Sequence, residues 1–178
     1  NPWSSHANAG ITDNDDIASG WFMKNSRLPA NIREEDSETP WLTTQMIHFL
    51  ESEIAKKLSN RRPWMVHLSY IKPHWPYIVP APYNAMYNKN DIIPVVRSES
   101  EIGQGSNPIY KSFTDNIIGR AFRQNKVREE VIPAYMGLIK QCDDQMGRLF
   151  KFMEDNGFME NTLIVICSDH GDYLGDHW

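Results

Sequence analysis

The run TLIVICSDHGDYLGDHW (residues 162–178) joins an apolar segment directly to a crowded polar one. TLIVIC has the length and the branched side chains of a strand buried on both faces, as in a parallel sheet. The eleven residues after it include three aspartates, two histidines and two glycines. Carboxylates and imidazoles at the end of a buried strand are costly to fold around unless a positive charge lies among them. The stretch therefore predicts a buried strand that ends at a metal site.

A second polar motif, KPHWPY (72–77), follows another apolar run, WMVHLSY (64–70), which favours a strand. The two prolines of the motif exclude a central strand and are expected to hold the backbone extended around His74. A lone histidine after a strand is usually a surface residue, and Lys72 is expected to be solvated. The confined, partly dry position of His74 beside Trp75 leaves a catalytic role as an open alternative.

Two helical patterns accompany these runs. Thr39 as N-cap and Pro40 at the first helical position, followed by regularly spaced apolar residues, predict a helix over residues 39–58. Apolar residues three and four apart predict a longer helix over 127–155, which Pro133 either kinks or begins. The order helix, strand, loop, helix, strand indicates an α/β fold with both helices packed on one sheet.

The remaining segments are less regular. Residues 1–38 are rich in Asn, Ser, Asp and Gly and are expected to be mostly loop. Residues 81–88 favour one or two helical turns, and the polar segment from there to Pro108 is expected to lie at the surface. Functional groups of open α/β sheets gather where the carboxyl ends of the strands emerge. Both polar motifs follow a predicted strand, so we expect His74 to lie near Asp169 and His170.

The composition excludes several classes of protein. A chain of 178 residues that is 40% hydrophobic can bury the core of one domain. A net charge of −5 without a long basic run gives no footprint for nucleic acid, and no apolar stretch approaches the roughly 20 residues that cross a bilayer. We expect no nucleic-acid or membrane partner, and the compartment is left open between cytoplasmic and periplasmic or secreted. Cys142 and Cys167 lack metal-binding spacing and are expected to be core thiols.

Asp169 and His170 are the candidate metal ligands. They offer an oxygen and a nitrogen to one ion where the backbone turns out of a strand, and Gly171 permits that turn. An EF-hand loop is excluded, because Gly171 and Tyr173 occupy positions that need oxygen donors. The alternative is a polar turn whose aspartates cap a following helix. Two ligands do not complete a metal site, so others must come from elsewhere in the fold.

Three strings in register resemble the sulfatase family of the alkaline-phosphatase superfamily: KPHWPY after HLSY, AYMGLIKQCDDQMGRL, and NTLIVICSDHGDYLGDHW. The phosphonate monoester hydrolase and arylsulfatase branch is the most similar, and the match covers roughly residues 39–178. The resemblance implies a fragment of an alkaline-phosphatase-like, mixed and mostly parallel sheet flanked by helices. Residues 1–178 would form the central part of a sulfatase-type catalytic domain, without its nucleophile region and its C-terminal part.

The resemblance also implies roles for single residues. Asp169 and His170 match ligands of the active-site divalent cation, which would be calcium, manganese or magnesium. His74 matches a histidine that hydrogen-bonds the substrate ester and assists the leaving group. His177 matches a histidine of the Gly-Asp/Glu-His turn and is taken as a further catalytic candidate.

The family's nucleophile is a formylglycine made from the cysteine or serine of a Cys/Ser-x-Pro/Ala-x-Arg motif. Neither Cys142 nor Cys167 fits that motif, so the nucleophile is expected upstream and the isolated chain is expected to be inactive. Asp143 and Asp144 match a helix position that we interpret as structural. The implied substrate is a small-molecule sulfate or phosphonate ester, and a homo-oligomer is compatible with the pattern. The alternative is a noncatalytic divalent-metal or ligand-binding module with a sulfatase-like fold.

Overall fold

A computed structural model of the chain describes residues 26–57, 63–101, 108–115 and 117–178. Most of the loop predicted over residues 1–38 lies outside these ranges. Within them the α-helices are α1 (Glu38–Lys57), α2 (Pro108–Asp115), α3 (Ile117–Phe122) and α4 (Asn125–Asp155). Short 3-10 helices lie at Glu34–Asp36, Tyr83–Ala85, Glu99–Glu101 and Met159–Asn161. None of the helices in the described part of the chain is long and apolar enough to cross a membrane.

The two predicted strands do not pair into a sheet within the described ranges. Residues 64–70 and 162–167 do not form strands. A strand is held by hydrogen bonds from its N–H and C=O groups to a neighbouring strand, and neither run has such a neighbour among the described residues. Burial on both faces was also a wrong prediction for the second run, because Leu163 is 90% and Val165 is 75% exposed.

Helix α1 begins one residue earlier than predicted. The carbonyl of Ser37 accepts the first helical hydrogen bond from the N–H of Trp41 (3.1 Å). Thr39 is therefore not the N-cap but lies inside the first turn, where it is buried. Pro40 is tolerated there because the N–H groups of a first turn have no partner within the helix. The predicted end at Leu58 lies outside the described residues.

Helix α4 confirms the long apolar stripe, although it begins at Asn125 rather than Val127. Pro133 neither begins nor ends the helix, and its side chain is buried. Ile139, which was counted in the stripe, is 44% exposed. The short helices α2 and α3 were not predicted. The buried apolar residues of α4 are Val127, Val131, Ala134, Leu138, Cys142, Leu149 and Met153.

The two halves of α4 pack against different apolar clusters, and each cluster supports segments that lead to the polar motifs. The N-terminal half packs on Tyr77 at the end of KPHWPY, on Val79 and Tyr83 after it, and on Leu174 of the final turn. The C-terminal half packs on α1 and on both apolar runs, through Leu50, Trp64, Leu68, Phe158 and Ile164. A single helix therefore connects the two motifs.

The turn Tyr83–Ala85 lies directly against α4 and confirms the helical turn predicted over 81–88. Gly137 permits this contact, because a Cβ there would collide with the carbonyl oxygen of Tyr83 and lie 3.3 Å from Cγ1 of Val79. The Tyr83 hydroxyl also donates to Oδ2 of Asp144 (2.9 Å). The missing side chain of one glycine thus sets how closely the segment after KPHWPY approaches α4.

Candidate active site

The KPHWPY motif forms a tight loop, so the prediction of extended backbone around His74 is wrong. The N–H of His74 donates to the carbonyl of Ile71 (3.1 Å), and turns and bends run through residues 72–76. The peptide bonds before Pro73 and Pro76 are cis. Because neither proline has an N–H group, the carbonyls of this loop depend on donors from elsewhere.

Lys72 supplies such donors, and the expectation that it is solvated is wrong. Its Nζ donates to the carbonyl oxygens of His74 (2.9 Å) and Pro76 (2.8 Å). Lys72 is only 6% exposed. Burial lowers its pKa to about 8, against the opposing effect of the Glu38 carboxylate. The signal in the sequence was a lysine beside a loop that is poor in N–H groups.

The ring of His74 is oriented by its own backbone neighbour. Its Nδ1 lies 2.7 Å from the carbonyl oxygen of Trp75. A carbonyl oxygen only accepts, so Nδ1 carries a proton and Nε2 is the nitrogen left for a ligand. The ring stacks on Trp75, with centroids 5.9 Å apart and 29° between the planes. His74 is exposed, so its surroundings are wetter than the prediction assumed.

His170 is held in the same way, beside Asp169. Its Nδ1 lies 2.9 Å from the carbonyl oxygen of Gly171, which leaves Nε2 for a metal. Metal-bound histidines commonly donate the other N–H to a carbonyl. Oδ2 of Asp169 lies 3.8 Å from Nε2 of His170. Two ligands of one divalent ion lie roughly 3 to 4 Å apart at ordinary bond lengths, so the pair fits a shared ion.

The electrostatics of His170 also concern its availability as a ligand. Its bond to the Gly171 carbonyl, and then the charge of Asp169, raise the pKa of the imidazole. A metal can bind Nε2 only after the imidazolium has lost its proton there, so metal binding is coupled to pH. Across the described ranges, no group of three or more His, Cys, Asp and Glu side chains could hold a metal. The Asp169–His170 pair would need further ligands.

The two motifs meet in space although they are far apart in the sequence. The ring centroids of His74 and His170 are 6.0 Å apart, with 69° between the planes. The predicted closeness of His74 to the Asp169–His170 pair is therefore confirmed. Asp172 gives a second link, because burial and then this carboxylate raise the pKa of Tyr77. An ester held at the pair would lie within reach of His74, while the roles of these residues stay predictions.

His177 takes part in a different set of contacts. Its Nδ1 lies 3.0 Å from Oε1 of Glu101, and this bond lowers the pKa of that carboxyl. Its N–H donates to the carbonyl of Val96 (2.8 Å), and its own carbonyl accepts from the Tyr110 hydroxyl (2.7 Å). These contacts hold the final turn against residues 96–101 and against Tyr110 of α2. A catalytic role for His177 stays a prediction.

Arg128 was not singled out from the sequence, yet it closes this final turn. Its Nε donates to the carbonyl of Leu174 (3.0 Å), and its guanidinium lies 3.6 Å from Oδ1 of Asp176. Gly175 has φ 96°, and a Cβ there would lie 2.8 Å from both the carbonyl oxygen of Phe122 and Cδ of Arg128. No local spacing could have shown this, because Arg128 meets the turn only after the chain has folded.

The remaining residues singled out from the sequence are the two cysteines and the aspartates of α4. Cys142 is buried, as predicted, and its Sγ donates to the carbonyl of Lys72 (3.4 Å). Cys167 is exposed, so its prediction as a core thiol was wrong. The reason is that this end of the run is uncovered, since Val165 and Ile166 beside it are also exposed. Lys140 pairs with Asp143 (3.5 Å) and with Asp144 along α4.

The chain is similar in sequence to known proteins of one family. The sulfatase family model matches residues 5–178 of the chain. The chain is 31% identical over 161 residues to the multifunctional alkaline phosphatase superfamily protein PehA of Trinickia caryophylli, a match that covers 84% of this chain and 30% of that protein. It is 27% identical over 151 residues to an arylsulfatase of Clostridium perfringens, with 84% and 29% covered.

Two solved structures of phosphonate monoester hydrolases are also similar to the chain. A phosphonate monoester hydrolase from Silicibacter pomeroyi has a TM-score of 0.64 at 30% identity and is matched over 31% of its chain and 85% of this one. The phosphonate monoester hydrolase of Agrobacterium radiobacter has a TM-score of 0.65 at 23% identity and shows likeness of fold alone. The chain thus spans about 30% of the length of these relatives. The likeness is consistent with the α/β class, although the described residues form no sheet.

Proposed function

Because the chain belongs to the sulfatase family, we propose that the full-length protein is a metal-dependent hydrolase of small-molecule sulfate or phosphonate esters. One observation supports this most directly. The ring of His74 lies 6.0 Å from the ring of His170, and Nε2 of His170 lies 3.8 Å from Oδ2 of Asp169. A candidate general acid therefore stands beside a candidate cation site, although KPHWPY and SDHGDYLGDHW are distant in the sequence.

In this proposal Asp169 and His170 hold a divalent ion together with ligands from the rest of the protein. The ion would neutralise the nonbridging oxygens of the ester, so that an oxygen nucleophile can approach an otherwise repelling anion. The proposed nucleophile is a hydroxyl of a hydrated formylglycine encoded upstream, which loses its proton to solvent and, as an alkoxide, forms a bond to sulfur or phosphorus. The bond to the alcohol or phenol oxygen breaks, and that oxygen takes the electron pair.

His74 acts on the leaving oxygen. Its Nδ1 is committed to the Trp75 carbonyl, so the proton comes from Nε2 of the imidazolium. Protonation matters most for esters whose leaving oxygen is strongly basic, and little for those that leave readily as anions. The contribution of His74 is therefore expected to depend on the pKa of the leaving group.

The test uses the full-length protein with matched aryl sulfates and aryl phosphonate monoesters of rising leaving-group pKa. The variant His74→Ala should lose about 10²- to 10⁴-fold in rate on esters with poor leaving groups, and much less on those with good ones. The control His48→Ala, at an exposed position of α1, should follow the wild type across the series. A loss that is the same for every ester would remove His74 as the general acid.

The metal site is tested in parallel by Asp169→Ala. This variant should lose most turnover together with its bound ion, measured by metal analysis after chelation and reloading with calcium, manganese or magnesium. The control Asp143→Ala removes an exposed carboxylate of α4 and should keep both. Full activity and full metal content in Asp169→Ala would overturn the site. Bound metal without turnover of any ester in the wild type would favour the noncatalytic binding module.

A further inference from the structure

The loop that carries His74 is held by the buried side chain of Lys72. The ammonium of Lys72 donates to the carbonyl of His74 (2.9 Å) and to the carbonyl of Pro76 (2.8 Å). These two carbonyls stand on either side of the Trp75 carbonyl in the sequence. The Trp75 carbonyl is the one that receives Nδ1 of His74 (2.7 Å). The ammonium therefore holds the peptide groups next to the one that orients the imidazole.

We propose that Lys72 is a positioning residue for His74, and that its two hydrogen bonds fix the Trp75 carbonyl so that Nε2 of the imidazole is directed to the substrate beside His170. The proposal rests on the proposed function of His74 as the acid for the leaving group. Lys72 itself does not touch the substrate in this role. It acts through the backbone of the loop.

The position of Lys72 suits this role. The residue is only 6% exposed, and its own carbonyl accepts from Sγ of Cys142 on α4 (3.4 Å). Lys72 lines a small cavity together with residues that include Thr39, Leu138 and Gln141. Lys72 and its two carbonyl partners thus lie beside residues of both α1 and α4.

A buried ammonium carries a cost, which the lowering of its pKa to about 8 reflects. Because that value lies above neutral pH, the ammonium remains mostly charged there. Charge-assisted hydrogen bonds are roughly twice as strong as neutral ones, which suits a group that must hold two carbonyls of a loop with few N–H groups. An apolar residue would avoid the burial cost but would leave these carbonyls without the donor.

The first test is kinetic and uses the full-length protein. Lys72→Met keeps an unbranched side chain, slightly shorter than that of lysine, and removes every donor. It should lower kcat/KM by about 10²-fold for poor leaving groups, a typical effect of misplacing a catalytic group by 1 Å, and much less for good ones. Lys72→Gln, a polar substitution at the same site, should show the same pattern in weaker form.

The control is Gln141→Met. Gln141 is 2% exposed on α4 and donates to Oγ of Ser37 (2.8 Å), so its substitution perturbs the surroundings of Lys72 without removing a donor of the loop carbonyls. This variant should show no dependence on the leaving group beyond that of the wild type. A double variant measures whether Lys72 and His74 act together. Added to His74→Ala, Lys72→Met should have little further effect, because both act through one ring. Additive losses would overturn the proposal.

The second test needs no turnover. Long-range nitrogen–proton NMR on histidine-labelled full-length protein reports which ring nitrogen of neutral His74 carries the proton. Nδ1–H is expected in the wild type and in Gln141→Met, and a mixture of tautomers in Lys72→Met and Lys72→Gln. A wild-type tautomer in the Lys72 variants would overturn the positioning role. If the Lys72 variants show a mixture of tautomers while the wild type hydrolyses no ester, the result would support the positioning of His74 by Lys72 and would rule out the hydrolase function.

Discussion

At the residue scale, His74 and His170 are oriented by the same kind of hydrogen bond. Nδ1 of His74 and Nδ1 of His170 each lie close to the carbonyl oxygen of the following residue, Trp75 or Gly171. Both rings therefore offer Nε2, one toward a leaving group and one toward a metal in the proposed function. Because the partners are backbone groups, the orientation depends on the conformation of each loop rather than on a neighbouring side chain. A substitution that changes the conformation of either loop is thus expected to change the orientation of its histidine ring.

Cys142 gives a prediction at this scale. Burial raises the pKa of its thiol from about 9 to about 11. A pKa raised in the folded state means that the stabilisation is fully present below pH 9 and is lost as the pH rises through 11. Cys142→Ala should remove that loss, which two pKa units put at up to about 2 to 3 kcal/mol in the free energy of unfolding. Denaturant unfolding between pH 8 and about 11.5 measures it.

The control for this prediction is Cys167→Ala, which removes an exposed thiol and should leave the pH dependence unchanged. Lys72 and the buried tyrosines titrate in neighbouring ranges, and comparison with the wild type at each pH largely cancels their contributions. A constant difference between Cys142→Ala and the wild type from pH 9 to 11 would contradict the prediction.

At the element scale, α4 joins the two motifs because the cluster on its N-terminal half contains residues of both. Its N-terminal half contacts Tyr77 and Leu174, and its C-terminal half contacts Leu50 and Phe158. The geometry of the candidate site therefore depends on how closely α4 approaches the segment after KPHWPY. Gly137 sets that approach, since a Cβ there would collide with the Tyr83 carbonyl.

Two glycines of α4 allow a matched prediction. Gly147→Ala has open space around the new methyl group and should raise the free energy of unfolding by about 0.5 to 1 kcal/mol, through helix propensity. Gly137→Ala has the same propensity gain but forces the Tyr83 backbone away, which typically costs about 1 to 3 kcal/mol. Unfolding measurements on both variants check the opposite signs. Equal stabilisation by both would contradict the close approach.

At the scale of the whole molecule, both apolar runs leave one face uncovered. Met65 is 91% and Leu163 is 90% exposed, while Trp64 and Ile164 beside them pack against buried residues. Apolar surface of this kind usually takes part in packing or association. The chain also spans only about 30% of the length of its relatives. The 178-residue chain is thus not expected to behave as an independent enzyme.

We therefore predict that the chain of 178 residues, produced by itself, hydrolyses no aryl ester and associates as its concentration rises. The double variant Met65→Lys, Leu163→Lys should reduce association, measured by light scattering, because it places charges on the uncovered faces. Ile93→Lys is the control, since Ile93 is also exposed (74%) but lies outside both runs. A monomer at every concentration, or turnover by this chain, would contradict the prediction.

The sequence by itself determined the local features of this protein. These features depend on residues within a few positions of one another. They are the apolar stripe of α4, most of α1, the turn at Tyr83 and the two histidine motifs that follow apolar runs. Only the tertiary structure decided that His74 lies beside His170, that Lys72 is buried and that His177 contacts Glu101. The physical reason is that burial and side-chain pairing sum over neighbours distant in the sequence. The unpaired apolar runs follow the same rule, because a strand requires a partner that its own residues cannot supply.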